Sequence, residues 1–427
     1  MPLLKSWVES ANAPDGQFPL NNLPYGVFST ENGPRRCGVA VGDSILDVTA
    51  LEERGYLNVC ETRVFAAPSW NAFMSLGPET WRRFRSHLQA VLGARAAQAD
   101  RDVCFNALVP QADATMHLPV EIRGYADFYG CKNHAINVGT MFRGPENALP
   151  SNYLHLPIAY NGRASSIVVS GTDIRRPWGQ LKDPGGAPPR FAPSERFDFE
   201  LELGAIVGQP SKFGKPVTVA EAETMIFGYV LLNDWSARDI QTWEYQPLGP
   251  FQSKATANTI SPWIVTSLAL QPFRTSTQPR EVQLLPHLQE PLPMLFDIDL
   301  EVLMLPSGAG EPLPVARTNY KEMYYSAPQN LAHHTTSGCP VEVGDMLGSG
   351  TISGTEPGSR GSLVELSWGG KEPVGLNGVG TRSFIEDNDT IIMRGASRGD
   401  GYLVGFGECV GKVLPAYADP YARDEVL

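Results

Sequence analysis

The clearest hydrophobic pattern in the chain is a strict alternation of apolar and polar residues over positions 197–203. A period of two predicts a β-strand, in which side chains two positions apart leave the same face. The acidic side chains of Asp198, Glu200 and Glu202 are therefore predicted to point to one side of a single strand.

A buried strand and a helix are predicted shortly afterwards. Residues 225–232 form an apolar run, which predicts a buried strand, and residues 235–245 contain no Gly or Pro and are compatible with a helix. At about 100° per residue, one stripe of that helix is polar and charged, whereas a stripe facing a core would be apolar. The stripe consists of Asp234, Arg238, Gln241 and Tyr245, and Lys254 and Asn258 follow on a loop.

These carboxylates are candidates for an oxygen cage around a hard divalent cation. Two carboxylates on one strand face and an Asp at a strand-to-helix junction supply the ligands that such a cation prefers. Three like charges on one face are also unfavourable unless a cation or water screens them. An amphipathic strand with a solvated acidic face has the same pattern, and Asn233 or Asp234 would equally suit a helix N-cap. Spacing alone leaves both interpretations open.

Residues 1–118 are predicted to form a small separate domain. Two apolar runs around a Gly-Asp turn within residues 38–48 predict a β-hairpin. A helix is predicted from Pro78, which suits a first helical turn. Its apolar face comprises Trp81, Phe84, Leu88, Val91 and Leu92, with Arg82, Arg83 and Arg85 off that face. Residues 109–115 are interpreted as a linker.

Residues 119–427 are predicted to form a β-rich domain with few helices. The pattern there changes to short strands, and the whole chain contains 36 Pro and 42 Gly. Strands are predicted at residues 167–171, 298–303, 362–368 and 390–393. Proline-rich stretches predict connections at 177–193 and 267–293, and residues 319–334 are compatible with a helix that Pro328 ends or kinks.

Composition narrows the class of protein. The 427 residues carry a net charge of −12 without a basic block, which argues against a nucleic-acid partner. The six cysteines are scattered without a CxxC pair, which argues for a reducing compartment and against disulfides or a structural zinc site. The N-terminus lacks the apolar core of a signal peptide and no run approaches membrane-spanning length, so we expect a cytoplasmic protein.

A second group of reactive side chains lies around His134. Residues 127–134 contain Asp, Tyr, Lys and His, and Arg143 and Tyr160 follow. A lone His is more often structural; a catalytic His needs a carboxylate that fixes its tautomer, and Glu365, alone on its predicted strand, is a candidate. Residues 348–354 are glycine-rich and form either a loop presenting Thr351 to a ligand or a tight turn between strands.

Several motifs in one order resemble the fumarylacetoacetate hydrolase family from end to end. The most specific are DFY at 127–129, MFRG at 141–144, GRASSI at 162–167, NDWSARD at 233–239 and GTISG at 350–354, and NLPYGVF at 22–28 also matches. The resemblance implies a mainly β fold with some α, namely a small N-terminal SH3-like barrel and a large C-terminal mixed β-sandwich roll. It also implies a homodimer built through the large domain.

The resemblance further implies a role for each candidate residue. Calcium or magnesium would bind Asp127, Glu200, Glu202 and Asp234, with Lys254 and Asn258 behind these ligands and Asp198 left solvated or behind them. His134 would be the general base, held by Glu365. Arg238, Gln241 and Lys254 would face the developing oxyanion. The substrate would contact Tyr129, Arg143, Tyr160, Gln241, Tyr245 and Thr351. Asn258 departs from the family, which has a threonine there, and this predicts altered metal affinity.

The implied activity is hydrolysis of a carbon–carbon bond in the small diketo acid 4-fumarylacetoacetate. The products are fumarate and acetoacetate, and the reaction is the last step of tyrosine and phenylalanine breakdown. Two alternatives remain open. One is another acylpyruvate hydrolase, or a decarboxylase or isomerase, of the same superfamily. The other is a cation-binding scaffold without enzymatic activity.

Overall fold

A computed structural model describes residues 1–376, 378–419 and 421. The N-terminal part contains one five-stranded antiparallel sheet in the order β4-β3-β2-β1-β5. Its strands are β1 (Tyr25–Ser29), β2 (Arg36–Val41), β3 (Ser44–Asp47), β4 (Leu108–Pro110) and β5 (Thr115–His117). Its helices are α1 (Val48–Glu53), α2 (Asn71–Met74), α3 (Pro78–Leu92) and α4 (Gln98–Phe105).

The predicted hairpin and the predicted helix of this part are confirmed as β2–β3 and α3. The linker prediction for residues 109–115 is wrong, because that stretch supplies β4 and β5, the two edge strands of the sheet. The position of Arg85 off the buried face is also wrong. Its guanidinium is buried, where it donates to the carbonyl oxygens of Asn21 and Asn22.

The C-terminal part is built from many short strands and six helices among the described residues. The strands are β6 (Tyr125–Phe128), β7 (Ala159–Asn161), β8 (Ile167–Val169), β9 (Ile174–Arg175), β10 (Trp178–Leu181), β11 (Arg190–Pro193), β12 (Phe197–Asp198), β13 (Leu201–Val207), β14 (Ile226–Asp234), β15 (Ser236–Ala237), β16 (Asn258–Ile260), β17 (Val265–Thr266), β18 (Arg274–Thr275), β19 (Leu295–Phe296), β20 (Asp299–Leu305), β21 (Leu313–Asn319), β22 (Met346–Gly348), β23 (Val374–Leu376), β24 (Gly380–Arg382), β25 (Thr390–Gly399) and β26 (Tyr402–Leu414). The helices are α5 (Lys132–Arg143), α6 (Val219–Met225), α7 (Arg238–Glu244), α8 (Ser267–Leu270), α9 (Ala327–Thr335) and α10 (Leu363–Leu366).

Two mixed sheets face each other across the main core. The larger has the order β7-β6-β22-β13-β14-β16-β8, with β17 also paired to β14, and the smaller has the order β21-β20-β25-β26-β9. Leu203 and Leu231 of the larger sheet and Val302 and Met393 of the smaller belong to one buried cluster. Burying such side chains stabilises each by about 1.5–3 kcal/mol relative to exposure. The predicted mainly β fold is confirmed.

A second core joins the N-terminal part to the larger sheet. Tyr25 and Trp70 stack in it with ring centroids 4.5 Å apart, and Phe227 of β14 packs against Tyr25 at 5.4 Å. The outer face of the larger sheet is thus buried by the N-terminal part. The inner face of the larger sheet and the ends of its strands are therefore contacted by elements of the C-terminal part.

Three predictions for the C-terminal part are wrong. Residues 177–193 contain the hairpin β10–β11 rather than a loop. Residues 319–334 do not form one helix, because a 3-10 turn at Tyr320–Glu322 is separate from α9, which begins at Ala327. Pro328 lies in the first turn of α9, where its missing amide proton costs nothing. Residues 362–368 form the short helix α10, not a strand, despite their alternation. In the part of the chain that the structure describes, no helix is long and apolar enough to cross a membrane.

Candidate active site

Three carboxylates from neighbouring strands of the larger sheet meet in its interior. Asp127 on β6, Glu202 on β13 and Asp234 at the end of β14 are buried, and their oxygen atoms lie within 4.8 Å of one another. Strand β22 runs between β6 and β13, and its Gly348 lies opposite Asp127. A Cβ atom on Gly348 would lie 2.7 Å from Asp127 Oδ1 and 3.1 Å from Glu202 Oε2. The glycine therefore leaves the space in which the carboxylates meet.

Several oxygen atoms of this group have no hydrogen-bond partner among the described residues. They are Oδ1 of Asp127, Oε1 of Glu202 and Oδ1 of Asp234. Burial raises the pKa of Asp127 well above its usual range, and the charge of Asp234 raises it further. Burial, together with the charge of Asp127, also raises the pKa of Glu202. Unpaired buried carboxylate oxygens that repel one another are the donor set that a hard divalent cation stabilises, so the residues fit such an ion.

Glu200 lies beside this group and is paired with two cationic side chains. Lys254 Nζ contacts Glu200 Oε2 and also Asp234 Oδ2, the latter at 2.7 Å. Arg238 Nη1 lies 2.7 Å from Glu200 Oε1. Burial opposes ionisation, but Lys254 and Arg238 together lower the pKa of Glu200 below its usual range. Glu200 is thus ionised, and Lys254 connects it to the three-carboxylate group.

Asn258 lies directly opposite Asp234 on the neighbouring strand β16. Its Oδ1 accepts a hydrogen bond of 3.1 Å from the Tyr125 hydroxyl, and its Nδ2, which is buried, has no acceptor in the described part of the chain. Asn258 thus lies on the strand next to Asp234 and has one buried donor without a partner among the described residues.

A histidine–glutamate pair lies next to the carboxylates. His134, in the first turn of α5, places Nδ1 2.6 Å from Glu365 Oε2. Burial would raise the pKa of Glu365, but the neighbouring His134 and the hydroxyl of Ser362 lower it. An ionised Glu365 holds the proton on Nδ1, so that Nε2 of His134 is left as the basic nitrogen.

The carboxylate of Glu365 is fully buried and held by four donors. Besides His134, they are Asn137 Nδ2 at 2.9 Å, Ser353 Oγ at 3.0 Å and Ser362 Oγ at 2.6 Å. These donors fix both oxygens of the carboxylate and therefore the plane of the imidazole ring.

A cavity of about 370 Å³ opens onto both groups. Its walls include the carboxylates of Asp127, Glu200 and Glu202 and the imidazole of His134. The predicted contacts of the substrate all line the same cavity, namely Tyr129, Arg143, Tyr160, Gln241, Tyr245 and Thr351, as do Arg238 and Lys254. The hydroxyl of Thr351 and Nη2 of Arg238 are buried without a partner among the described residues, so both are available to a ligand.

The structure excludes one alternative for this region and shows one sequence expectation to be wrong. The alternative of a solvated acidic face at residues 197–203 is excluded, because Asp198, Glu200 and Glu202 are all buried. The alternation there is split into β12 and β13, and Asp198 is paired with Arg238 Nε at 2.8 Å. Glu365 does not lie on a strand, since α10 presents it to His134.

Sequence reasoning missed the residues that support the site. Asn137 follows His134 by three positions on one helix and therefore shares its face, which is a signal that was present in the sequence. Gly348 lies in a stretch noted only as a loop or turn. Tyr125 lies 133 positions from Asn258, so only the folded structure reveals that contact. Ser353 and Ser362 lie 12 and 3 positions from Glu365, but their contacts with it depend on the helix α10 that the sequence pattern did not predict.

Comparison with known proteins defines the class. Residues 21–119 match the family model described as Fumarylacetoacetase N-terminal, and residues 123–413 match that described as Fumarylacetoacetate (FAA) hydrolase C-terminal. The chain therefore belongs to the fumarylacetoacetate hydrolase family.

Two relatives that align over nearly their whole length share the name fumarylacetoacetase. The fumarylacetoacetase of Rattus norvegicus is 48% identical over 409 residues, which cover 95% of this chain and 98% of the relative. That of Arabidopsis thaliana is 46% identical over 422 residues, covering 97% and 100%. A solved fumarylacetoacetate hydrolase from Exiguobacterium antarcticum is 18% identical, with a TM-score of 0.52 and coverage of 92% and 99%, and thus shares the fold.

Proposed function

We propose that the chain hydrolyses the carbon–carbon bond of 4-fumarylacetoacetate to give fumarate and acetoacetate, the last step of tyrosine and phenylalanine breakdown. The observation that carries the proposal is the cavity of about 370 Å³, onto which an oriented histidine base and a group of buried carboxylates both open. Relatives named fumarylacetoacetase align with nearly the whole chain, which supports the same substrate.

The proposed cofactor is calcium or magnesium. Asp127, Glu202 and Asp234 would hold it, because each has a buried oxygen without a partner among the described residues. Glu200 is included because Lys254 joins its carboxylate to that of Asp234. When bound, a divalent cation would polarise a carbonyl of the diketone and offset the charge of its oxygens.

His134 is the proposed general base. Its Nε2 would take a proton from water, and Glu365 would stabilise the imidazolium that forms, since its carboxylate is ionised and fixed. The water oxygen would then bond to the carbonyl carbon. The proton held by His134 is afterwards available to the leaving carbon, which departs as a carbanion equivalent.

The chain also carries donors for the negative charge that develops on the attacked carbonyl oxygen. Arg238 has a buried Nη2 without a partner in the described residues, and Gln241 and Lys254 line the same cavity. Fixed donors in a buried site stabilise an oxyanion without reorganisation. Arg143 and Tyr245, also in the cavity wall, are the proposed contacts of the substrate carboxylates.

The decisive experiment follows the absorbance of fumarylacetoacetate with purified protein. We expect it to fall with added calcium or magnesium and to persist when a chelator is present. If the absorbance does not change with either ion, the activity belongs to another reaction of the superfamily, on a related acylpyruvate.

We further propose a homodimer formed through the large domain. Leu248, in the cavity wall, is 94% exposed, and Phe251 and Trp243 nearby are 58% and 43% exposed. Such apolar exposure beside a site is typical of an interaction surface. Light scattering should give twice the mass of 46.5 kDa, and Leu248→Asp should shift the mass towards that of one chain. A single-chain mass for the wild type would refute the dimer.

The domain boundary and the compartment complete the proposal. The match to the N-terminal family model ends at residue 119 and the match to the C-terminal model begins at residue 123, which supports a domain boundary after residue 118. All six cysteines are free thiols, which suits a cytoplasmic protein. Limited proteolysis followed by mass spectrometry tests the boundary, and a reporter fusion tests the compartment.

A further inference from the structure

Asp198 is a buried carboxylate that the proposed mechanism does not use. Its side chain is 0% exposed. Oδ1 accepts from the backbone amides of Phe199 and Leu363, both at 2.8 Å, and Oδ2 accepts from the amide of Val364 at 3.0 Å and from Arg238 Nε at 2.8 Å. Both oxygens are thus saturated, and no part of the carboxylate is left for a ligand.

Two of these bonds cap the helix that carries Glu365. Leu363 and Val364 are the first two residues of α10, and their amide protons have no partner within the helix. The residue before a helix usually satisfies such amides with its own side chain. Here Ser362 occupies that position but makes no capping bond; its hydroxyl donates instead to Glu365 at 2.6 Å. Asp198, from β12, supplies the cap and leaves Ser362 free to hold Glu365.

The bond from Arg238 Nε to Asp198 Oδ2 positions the guanidinium of Arg238. Its Nε is held by Asp198 and its Nη1 by Glu200 at 2.7 Å, so its plane is fixed from two sides. The remaining Nη2 is the atom without a partner in the described residues. One carboxylate therefore touches both the donor proposed for the oxyanion and the helix that orients the base.

We propose that Asp198 is a positioning residue that sets the distance between the base pair His134–Glu365 and the Arg238 guanidinium. This inference rests on the proposed function, because it assigns Asp198 to that same reaction. The water that gives its proton to His134 and the carbonyl oxygen that Arg238 stabilises must lie a fixed distance apart. A misplacement of about 1 Å in such geometry slows turnover by about 10²-fold.

Asp198→Asn tests the proposal. The amide keeps the shape of the side chain but turns one acceptor into a donor, which must then face either Arg238 Nε or a backbone amide. We expect kcat on fumarylacetoacetate to fall by about 10²-fold, while KM and calcium affinity change by less than about threefold. Asp198→Glu retains the charge but adds a methylene to a fully buried site, and we expect a similar loss.

Asp239→Asn is the matched control. Asp239 also accepts backbone amides, from Glu195 at 2.6 Å and Arg196 at 3.2 Å, and lies next to Arg238 in sequence. Its other donors in the described part of the chain are the Ser194 hydroxyl and the Ile240 amide, so it bonds neither the guanidinium nor α10. We expect wild-type kcat for Asp239→Asn only, and a larger fall in melting temperature for Asp198→Asn, whose carboxylate is fully buried and paired with Arg238. Equal kcat for the two variants overturns the proposal, and so does failure of both Asp198 variants to fold, which would assign this carboxylate to folding alone.

A second readout does not depend on activity. The chain has seven histidines. In ¹⁵N-histidine protein, the Nδ1 proton bonded to Glu365 should give a downfield resonance that His134→Ala removes. We expect Asp198→Asn to shift it upfield and Asp239→Asn to leave it in place; an unshifted resonance in Asp198→Asn overturns the proposal. The wild-type rate tests the proposed function separately, so the two failures are distinguishable.

Discussion

Adding one methyl group to β22 should weaken the proposed metal site. In Gly348→Ala the new Cβ would lie 2.7 Å from Asp127 Oδ1, whereas ordinary contact begins at 3.4 Å, so one of the two must move by about 0.7 Å. The backbone of β22 tolerates alanine, since Gly348 has no positive φ. A functional group must stay within about 0.5 Å of its productive position. We expect calcium or magnesium affinity to fall about 10–100-fold, the usual effect of disturbing the support of a metal ligand.

Titration calorimetry of the purified variant measures this effect directly. Gly375→Ala is the control, because Gly375 also lies on a strand, has no positive φ, and a Cβ there would meet nothing within 4 Å. The control should bind the ion as the wild type does. If folded Gly348→Ala also binds with wild-type affinity, the three carboxylates do not hold the ion together, and the proposed cage is refuted.

The remaining predictions concern the base, the fourth ligand and the fold. His134→Ala should slow turnover about 10²–10⁴-fold, the usual share of a general base, and leave metal affinity unchanged; the substitution of the exposed His155 by Ala is its control, and a wild-type kcat in His134→Ala would refute the role of His134 as the base. Glu200→Gln should weaken calorimetric metal affinity, since it removes a charge beside the cage; an unchanged affinity removes Glu200 from it. Thr218→Ala should lower the free energy of unfolding by about 1 kcal/mol in urea, because it deletes the capping box at α6, with no loss of kcat; a loss of less than about 0.3 kcal/mol contradicts this reasoning.

The local pattern of apolar residues was sufficient to predict an element where that element is packed against a core along its whole length. The helix α3 was predicted from the period of its apolar face and the strand β14 from a continuous apolar run, and both elements lie where expected. Pattern failed at residues 362–368, which alternate like a strand yet form α10. Burial of Glu365 beside His134 and the cap from Asp198 decide that conformation, and both partners lie more than 160 residues away.

The same division holds for the site. The sequence alone determined that acidic residues cluster near positions 198–202 and 234 and, through its motifs, which family the chain resembles. It also predicted a polar helical stripe from Asp234 to Tyr245, but α7 begins at Arg238 and Asp234 ends β14. Only the tertiary structure decided that Asp198 is buried and paired rather than solvated, that Gly348 leaves the space between two carboxylates, and that Glu365 meets His134. A period along the chain indicates which face of an element is buried. Contacts between residues from distant parts of the chain depend on how the strands of a sheet are paired, and no local pattern encodes that pairing.

The chemistry proposed for this chain depends on negative charges and a base from separate segments being brought to one cavity. Repulsion among those charges opposes folding unless donors or a cation balance it, so their meeting is a property of the whole fold. Coordinates from an experiment that placed the Asp127 and Asp234 carboxylates in open solvent would remove the physical basis for it.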